Sequence, residues 1–302
     1  MRTILKRFRQ GDDLNRITII MEEEKETNFK ACQRLLSVVI TASNKSFLFQ
    51  LTFGFVLSVI SAGALYSQDS TMIIPRRMNP LCYISVPFQN NFDLNVPPNN
   101  GFRWTMNLMP IIPISLGKKL EITTRVVLPI ISQTSIYGNT NQTGMGDLLI
   151  NTFLTPKSGR LVWGVGPSFY FPTGFPQELS AKKWAVGPGI IAAWQGRKLL
   201  TAGLLFHIWS FAGSEKRPDF SYSYFQPLMV YSLKHGWGLG LTAEIGLEWE
   251  TRITNGSVIF TGQKLVKIGK QFINFVLGPK VFFGNFNIPG FGFRATVNLL
   301  FP

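Results

Sequence analysis

The sequence predicts an all-β protein, an antiparallel transmembrane β-barrel of about 12 strands. Charged residues make up only 15% of the 302 residues and hydrophobic residues 45%, whereas about a quarter of the residues in soluble proteins are charged. Apolar and polar residues alternate in segment after segment, and a period of two is typical of a strand with two different faces. After residue 65 no apolar run approaches the roughly 20 residues of a membrane helix, and only helices and closed barrels satisfy their backbone within lipid.

The N-terminal part of the chain predicts an export signal. Phe47–Ala64 is an uncharged apolar run that follows Lys45 and ends in small residues, an order typical of a secretory signal peptide. We therefore expect a signal peptide at 45–67. The charged leader 1–44 is expected to precede the true start of translation. The alternative is a cytoplasmic tail followed by an apolar run that stays in place as a membrane helix.

The rest of the chain divides into a linker and the barrel. Residues 68–82 contain Pro and Arg and are expected to form a periplasmic linker or a plug, and residues 83–302 the outer-membrane β-barrel. Alternating segments recur in the barrel region, separated by Gly, Asn, Pro and Lys. The predicted strands are about 83–94, 103–116, 119–132, 146–156, 160–172, 183–195, 198–209, 222–233, 236–249, 257–268, 271–283 and 291–301.

The segment Trp237–Trp249 shows the two-faced pattern most clearly. Every second residue is apolar, with Trp at both ends, and the residues between are small, polar or acidic. This pattern is typical of a barrel strand whose outer face meets lipid between two aromatic belts. The last predicted strand ends in Phe301, which is expected to close the barrel. This ending resembles the signal by which the barrel-assembly machinery recognises outer-membrane proteins.

Short and long connections alternate along the chain. Gly117-Lys118 and Gly196-Arg197 predict tight hairpins, whereas the stretches 133–145, 210–221 and 250–256 predict longer loops. Short turns on one rim and long loops on the other are typical of outer-membrane barrels. Proline removes a hydrogen bond from the ladder, so we expect the strand prolines at bulges or near the rims. They are Pro110, Pro129, Pro167, Pro188, Pro227 and Pro279.

The composition argues against several other classes of protein. The net charge is +14, but Lys and Arg stand singly or in pairs, mostly in predicted turns, and no nucleic-acid-binding motif is present. Cys32 precedes the expected cleavage site, which leaves Cys82 alone and excludes an intrachain disulfide in the mature chain. Two distant histidines and one cysteine form no metal-ligand cluster. We therefore expect no nucleic-acid partner, no metal and no cofactor.

A series of short motifs resembles one bacterial protein family. The motifs, in chain order, are Pro87–Phe92, Asn107–Ser115, Thr124–Ile131, Thr143–Pro156, Trp163–Gly174, Lys183–Gly189, Trp209–Gly213, Gln226–Gly238, Ile268–Gln271 and the final Phe301-Pro302. They are similar to the Gram-negative outer-membrane family related to the proteins of the phenol-degradation meta pathway, whose members are often labelled transporter or neuromedin U. The resemblance covers nearly all of the mature chain. It implies a barrel that passes small, aromatic or hydrophobic compounds.

Six charged residues fall on predicted inner faces. Facing lipid at the bilayer midplane costs Arg or Lys roughly 2–4 kcal/mol, so we expect these side chains to line the lumen. They could form a salt-bridged network that fills a narrow barrel or a charged pathway that selects solutes. They are Glu121, Arg125, Glu244, Glu248, Lys280 and Arg294.

Two further positions invite a functional hypothesis. Asp147 follows Gly144-Met145-Gly146 after a predicted loop and is expected to cap a turn or bind a lumenal Arg, with a calcium or substrate role as the alternative. His207 is expected to be able to face the lumen. A hydrolase of the barrel phospholipase kind would pair it with a serine on a neighbouring strand, for which Ser223 and Ser168 are candidates.

These observations together predict a protein of the bacterial outer membrane that is not an enzyme. Its partners are expected to be the lipid bilayer, small-molecule solutes and the barrel-assembly machinery. The predicted function is passive, porin-like passage of small, aromatic or hydrophobic molecules, since no nucleotide or energy-coupling site is visible. The alternatives are a barrel lipid hydrolase and a structural or adhesion protein.

Overall fold

Strands with alternating polarity join edge to edge in this protein until the sheet closes on itself. The computed structural model describes residues 84–301 apart from residues 137, 139, 158 and 270. The expected leader, signal peptide and linker or plug lie outside the described residues, as do both cysteines and Pro302.

The described residues contain fourteen strand segments and two single turns of 3₁₀-helix, Gln177–Leu179 and Lys234–Gly236. The strands are β1 (Ile84–Val96), β2 (Gly101–Leu108), β3 (Ile111–Leu116), β4 (Leu120–Thr134), β5 (Asn141–Met145), β6 (Leu148–Pro156), β7 (Leu161–Phe171), β8 (Lys183–Gln195), β9 (Leu199–Gly213), β10 (Ser221–Ser232), β11 (Trp237–Glu248), β12 (Ile253–Ile268), β13 (Gln271–Gly284) and β14 (Phe291–Phe301).

The fourteen segments make twelve barrel strands, which confirms the predicted number. β2 and β3 both pair with β1 and β4 and are one barrel strand interrupted at Met109-Pro110. β5 and β6 both pair with β4 and are one barrel strand interrupted at Gly146-Asp147. Each strand is antiparallel to its neighbours.

The first and last strands close the sheet. β1 pairs with β14 over eleven residue pairs, from Ile84 opposite Phe301 to Leu94 opposite Phe291. Phe301 therefore lies in the closing seam, as predicted. A closed barrel has no edge strand, so every strand has a partner on both sides within lipid.

The two rims differ in the length of their connections. Five turns of two to four residues lie on the rim that carries the start of β1 and the end of β14, and six connections of four to eleven residues join the strands at the opposite rim. The predicted loops 133–145, 210–221 and 250–256 are shorter than expected, because β5, the end of β9 and the start of β12 continue the ladder into them. The longest loop of this rim, residues 172–182, folds back on the wall, where Phe175 pairs with Met145.

The strand prolines stand where the ladder is broken. Pro110 lies in the interruption between β2 and β3, and Pro129 lies opposite the one between β5 and β6, where its carbonyl accepts from Gly146 N at 2.8 Å. Pro167, Pro188, Pro227 and Pro279 each coincide with two unmatched positions on one side of their strand and a continuous register on the other. These four lie within long strands and not near their ends, so of the two expected positions, bulges or rims, they occupy breaks in the ladder and not the rims.

The outer surface is apolar over most of the wall. Large hydrophobic side chains are exposed at alternate positions, among them Leu161, Trp163 and Val165 of β7 and Trp237, Leu239 and Leu241 of β11. Trp237 and Trp249 are 54% and 55% exposed at the two ends of the segment that shows the pattern best. This surface meets the requirement of a wall that faces lipid between interfacial aromatic residues. No helix among the described residues is long and apolar enough to cross a membrane.

The inside of the barrel has two different halves. On the side of β6 to β9 a buried apolar cluster includes Phe153, Val162, Leu204 and Phe206, with Tyr222 and Tyr224 of β10 packed against it. On the other side, β1, β4, β11, β13 and β14 present polar and charged side chains. The space between these halves is the candidate site.

Candidate functional site: a lumenal cavity of mixed polarity

A cavity of about 310 Å³ lies inside the barrel, where the apolar and charged halves meet. Its wall combines five charged side chains with aromatic, apolar and amide groups from nine strand segments. The charged side chains are Asp93, Arg125, Glu244, Lys280 and Arg294. Three cations against two anions leave the wall with an excess of one positive charge.

Glu244 and Arg294 form the central ion pair of the cavity. Arg294 Nη2 donates to Glu244 Oε2 at 2.9 Å, and Arg294 Nε donates to Asn91 Oδ1 at 2.8 Å. Gln226 Nε2 donates to the other oxygen of Glu244 at 3.1 Å. Both charged groups are thus held by several polar partners, which a buried pair needs to offset its desolvation.

A second ion pair lies beside the first. Lys280 Nζ lies 3.3 Å from Asp93 Oδ1, and the two side chains are 9% and 11% exposed. The Lys280 ammonium also lies 4.5 Å from the centre of the Phe282 ring. This pair joins β13 to β1, so it braces the wall near the closing seam.

Arg125 differs from the other cations of the cavity. Its Nη1 donates to Asn151 Oδ1 at 3.1 Å, and its Nη2 lies 3.5 Å from Met109 Sδ. Among the described residues, no carboxylate forms an ion pair with this guanidinium. A cation with only neutral partners retains attraction for an anion, and a guanidinium binds a carboxylate with two parallel hydrogen bonds.

Aromatic rings form the opposite wall. The rings of Phe206 and Tyr224 are stacked with their centroids 5.3 Å apart, and Tyr222 lies next to Tyr224 on the same inner face of β10. Val127 and Leu149, which are paired in the β4–β6 ladder, add apolar surface on the side of Arg125. The cavity therefore offers an apolar, aromatic surface on one side and a guanidinium on the other.

Glu121 and Glu248 lie inside the barrel but away from this cavity. Glu121 is 5% exposed near the short-turn end of β4, opposite Thr155 of β6. Glu248 ends β11 at the long-loop rim, where its Oε1 accepts from Ser221 N at 3.0 Å and Glu250 N at 3.2 Å. The two-residue period assigns a residue to the inner or outer face of the wall, but it does not give the position of the residue along the barrel axis. The sequence pattern therefore grouped Glu121 and Glu248 with the four charged residues of the cavity.

Asp147 holds the longest loop against the wall. Its Oδ1 accepts from Gly174 N at 2.8 Å and Ser180 Oγ at 2.7 Å, and its Oδ2 accepts from Tyr170 Oη at 2.9 Å and Ala181 N at 2.6 Å. These partners come from β7 and the loop that follows it. Asp147 thus acts as an anchor for residues 172–182, and Lys182 Nζ adds a bond to Gly174 O at 3.1 Å.

His207 faces outward, so the expectation of a lumenal side chain is wrong. It shares the outer face of β9 with Leu205 and Trp209, which are 45% and 51% exposed, while Phe206 and Ile208 point inward and are buried. A two-residue period separates the faces of a strand, but the sequence around His207 is apolar on both sides. The inner apolar cluster removes the polarity difference that identifies the lumen elsewhere.

The serine expected beside His207 is present on the same outer face. Ser223 Oγ lies 2.7 Å from His207 Nδ1 and accepts from Trp249 Nε1 at 2.8 Å, and Ser221 Oγ lies 3.3 Å from His207 Nε2. Ser168, the other candidate, is fully buried on the inner face, where Asn151 Nδ2 donates to its Oγ at 2.7 Å.

Neither the cavity nor the rest of the described chain offers a metal centre. No group of three or more His, Cys, Asp and Glu side chains that could hold a metal ion occurs among the described residues. The carboxylates of the cavity are instead each engaged by cations.

Comparison with known proteins places the fold. No protein-family model matches the chain, and a search of curated proteins gives no match. Among solved structures, the COG4313 outer membrane channel from Pseudomonas putida F1 is similar, with 14% identity, a TM-score of 0.58, and coverage of 76% of this chain and 99% of that chain. The translocator domain of the autotransporter NalP from Neisseria meningitidis has 11% identity, a TM-score of 0.42, and coverage of 83% and 95%.

The similarity to the Pseudomonas channel is one of fold. It covers almost the whole of that channel, and the part of this chain that it covers is about the size of the described barrel. Three observations indicate the same fold: the closed antiparallel wall of twelve strands, the apolar exterior and this similarity. The chain has the fold of a bacterial outer-membrane β-barrel.

Proposed function

We propose that the barrel is a channel of the outer membrane through which small molecules diffuse passively. The observation that carries the proposal is the cavity inside the lumen, with an aromatic wall and the guanidinium of Arg125 facing the same space. A solute with one aromatic ring and one acid group matches both surfaces. The fold shared with an outer-membrane channel supports the proposal, and the resemblance of the sequence motifs to the family related to the phenol-degradation meta pathway favours an aromatic solute.

The mechanism needs only the groups of the wall. The acid group of the solute pairs with Arg125, which has neutral partners, while its ring packs on Tyr224 and Phe206. The two ion pairs narrow the space inside the barrel, and they neutralise the four other charged side chains of the cavity. Binding at one weak site is compatible with passage, because a solute must leave the site as readily as it enters.

Planar-bilayer and proteoliposome measurements test this function. We expect the purified barrel to conduct with a preference for anions and to admit benzoate faster than benzylamine, which has a similar ring and the opposite charge. Arg125→Ala should remove the preference, and Arg125→Lys should retain part of it, since Lys keeps the charge without the planar fork. A barrel that neither conducts nor admits benzoate would contradict the proposal.

A second candidate function has one specific observation in its favour. The contact between Ser223 and His207 on the lipid-facing wall brings together a hydroxyl and an imidazole, the core of a hydrolytic site. The second imidazole nitrogen meets Ser221 and no carboxylate among the described residues, so the orienting group is weak. The test is hydrolysis of phospholipid by the purified barrel in detergent. Activity that both Ser223→Ala and His207→Ala abolish would favour the hydrolase. No hydrolysis would contradict the hydrolase and leave the channel as the only proposed function.

A further inference from the structure

The positive charge of the barrel is concentrated on one rim. The five short turns, 117–119, 157–160, 196–198, 233–236 and 269–270, contain eight Lys and Arg and no Asp or Glu. The six connections of the opposite rim contain four Lys and Arg and four Asp and Glu, and their charges cancel. We call the five turns the cationic rim. Their charge of +8 is a property of one end of the molecule.

Most charged side chains of the cationic rim that the structure describes are exposed to the surroundings of the barrel. Lys118, Lys119, Arg197, Lys198 and Lys234 are all exposed. The turns 117–119 and 157–160 also contact each other, since Lys157 Nζ donates to Gly117 O at 2.7 Å. Solvent-exposed cations thus stand on several turns of the same rim.

Apolar residues of the outer face border each turn. Leu116 and Leu120, 52% and 40% exposed, flank Lys118-Lys119, and Leu161, 54% exposed, follows Arg160. In the same way Trp194 precedes the turn 196–198, and Ile268 precedes the last turn. A cation directly beyond a lipid-facing apolar side chain lies at the depth of the lipid headgroups.

Lys264 shows the interfacial geometry most directly. It stands opposite Trp237 in the β11–β12 ladder, on the outer face, with its ammonium 4.9 Å from the centre of the Trp237 ring. Its Nζ also donates to His235 O, in one of the short turns, at 2.7 Å. The side chain therefore runs along apolar surface toward the turn, as Lys does when it brings its charge to a membrane interface.

We propose that the cationic rim binds the phosphate headgroups of anionic phospholipids in the leaflet it faces. That leaflet is the periplasmic one if short turns face the periplasm, as in other outer-membrane barrels, so the assignment of the leaflet rests on the proposed location. The position of the cations beside outward-facing apolar residues favours lipid over solutes entering the lumen. Anionic lipid would hold the barrel at a defined depth and orientation.

The test compares two variants that lose the same number of charges. The turn variant carries K118Q, K119Q, R197Q and K198Q, and the loop variant carries K182Q, K216Q, R217Q and R252Q on the opposite rim. The purified barrels are titrated with fluorophore-labelled phosphatidylglycerol, using energy transfer from the exposed tryptophans as the signal. Phosphatidylcholine with the same label is the reference, and the heat-modifiable shift of folded barrels on a gel checks assembly.

We expect the native barrel to prefer phosphatidylglycerol and the turn variant to bind it at least about tenfold more weakly, since each Lys or Arg near an anionic surface contributes roughly fivefold. The loop variant should bind within about twofold of the native barrel. Absence of a lipid preference, or an equal loss in both variants, would overturn the proposal.

Salt dependence gives a test that needs no variant. The preference of the native barrel for phosphatidylglycerol should disappear at about 1 M salt, where the screening length is roughly 3 Å. A preference that survives such salt would overturn the assignment to the cationic rim. The lipid test and the conductance test fail independently, because Arg125 lies in the lumen and is unchanged in both rim variants.

Discussion

Arg294 of β14 donates to Glu244 of β11 at 2.9 Å across the inside of the barrel, although two strands separate them along the wall. Their side chains are 6% and 17% exposed. A buried pair that connects distant strands resists deformation of the barrel, and it also occupies the space through which a solute would pass.

Removing one member of this pair should destabilise the barrel. Glu244→Ala leaves the Arg294 guanidinium buried without its counter-charge, and we expect a loss of about 3–5 kcal/mol in the free energy of unfolding. The measurement is urea unfolding in lipid vesicles. Glu250→Ala is the control, because Glu250 is an exposed acid in the loop 249–252; equal stability of the two variants would refute the prediction.

Asp147 should determine the order of the loop 172–182. Asp147→Ala removes a carboxylate that accepts four hydrogen bonds from this loop and β7, and a hydrogen bond to a charged group contributes about 1.5–3 kcal/mol. We expect faster proteolytic cleavage within the loop and little change in the rest of the barrel. Glu178→Ala, within the loop and exposed, is the control, and an unchanged cleavage rate in Asp147→Ala would count against the anchor.

The loop 214–220 should loosen in acid. Hydrogen bonds from Lys183 and Ser210, together with the charge of Lys183, lower the pKa of Asp219 below its ordinary value. A carboxyl group with a lowered folded-state pKa contributes its stabilisation above the unfolded pKa and loses it as the pH falls through the folded value.

Because Asp219 is exposed, only a small local effect below about pH 4 is expected. Hydrogen exchange of residues 214–220 measures it. Asp219→Asn should make the exchange rate independent of pH in this range once the intrinsic rate is corrected. A wild-type loop that stays equally protected in acid would contradict the prediction.

Gly278 should tolerate no side chain. A Cβ at this position would overlap the carbonyl oxygen of Phe260 on β12, beside the ladder break at Pro279, and overpacking of this kind costs about 1–3 kcal/mol. Gly278→Ala should therefore lower the urea midpoint of unfolding. Gly262→Ala, on the paired strand, has no atom within 4 Å of the added Cβ and should leave it unchanged or raise it slightly.

Most of the fold could be predicted from the sequence, because a strand between lipid and water needs an apolar outer face and a polar inner face. Wherever one face is apolar and the other polar, as in Trp237–Trp249, the two-residue period predicted the strand and its outer face. Strand ends were less predictable: the ladder continues through polar residues such as Asn141–Met145, which resemble a loop in the sequence. Hydrogen bonding to the neighbouring strand, and not side-chain polarity, decides where such a strand ends.

The candidate site was only partly readable. Its charges stand on faces that the alternation assigns to the lumen, but the aromatic wall of Phe206 and Tyr224 carries no polarity signal, since an apolar residue on the inner face resembles one on the outer face. The same lack of signal misplaced His207. The ladder pairing of β9 with β10 decides that His207 meets Ser223, sixteen residues further along the chain.

The sequence by itself determined that the chain forms a membrane barrel of about twelve strands, because lipid and water on opposite faces require a local, two-residue pattern. Only the tertiary structure decided which inner charges meet. Arg294 forms an ion pair with Glu244, Lys280 forms one with Asp93, and Arg125 has neutral partners. The physical reason is that barrel closure and strand register determine the position of each residue along the barrel axis. They thereby determine the distance between residues far apart in the chain, and no local sequence pattern contains that information.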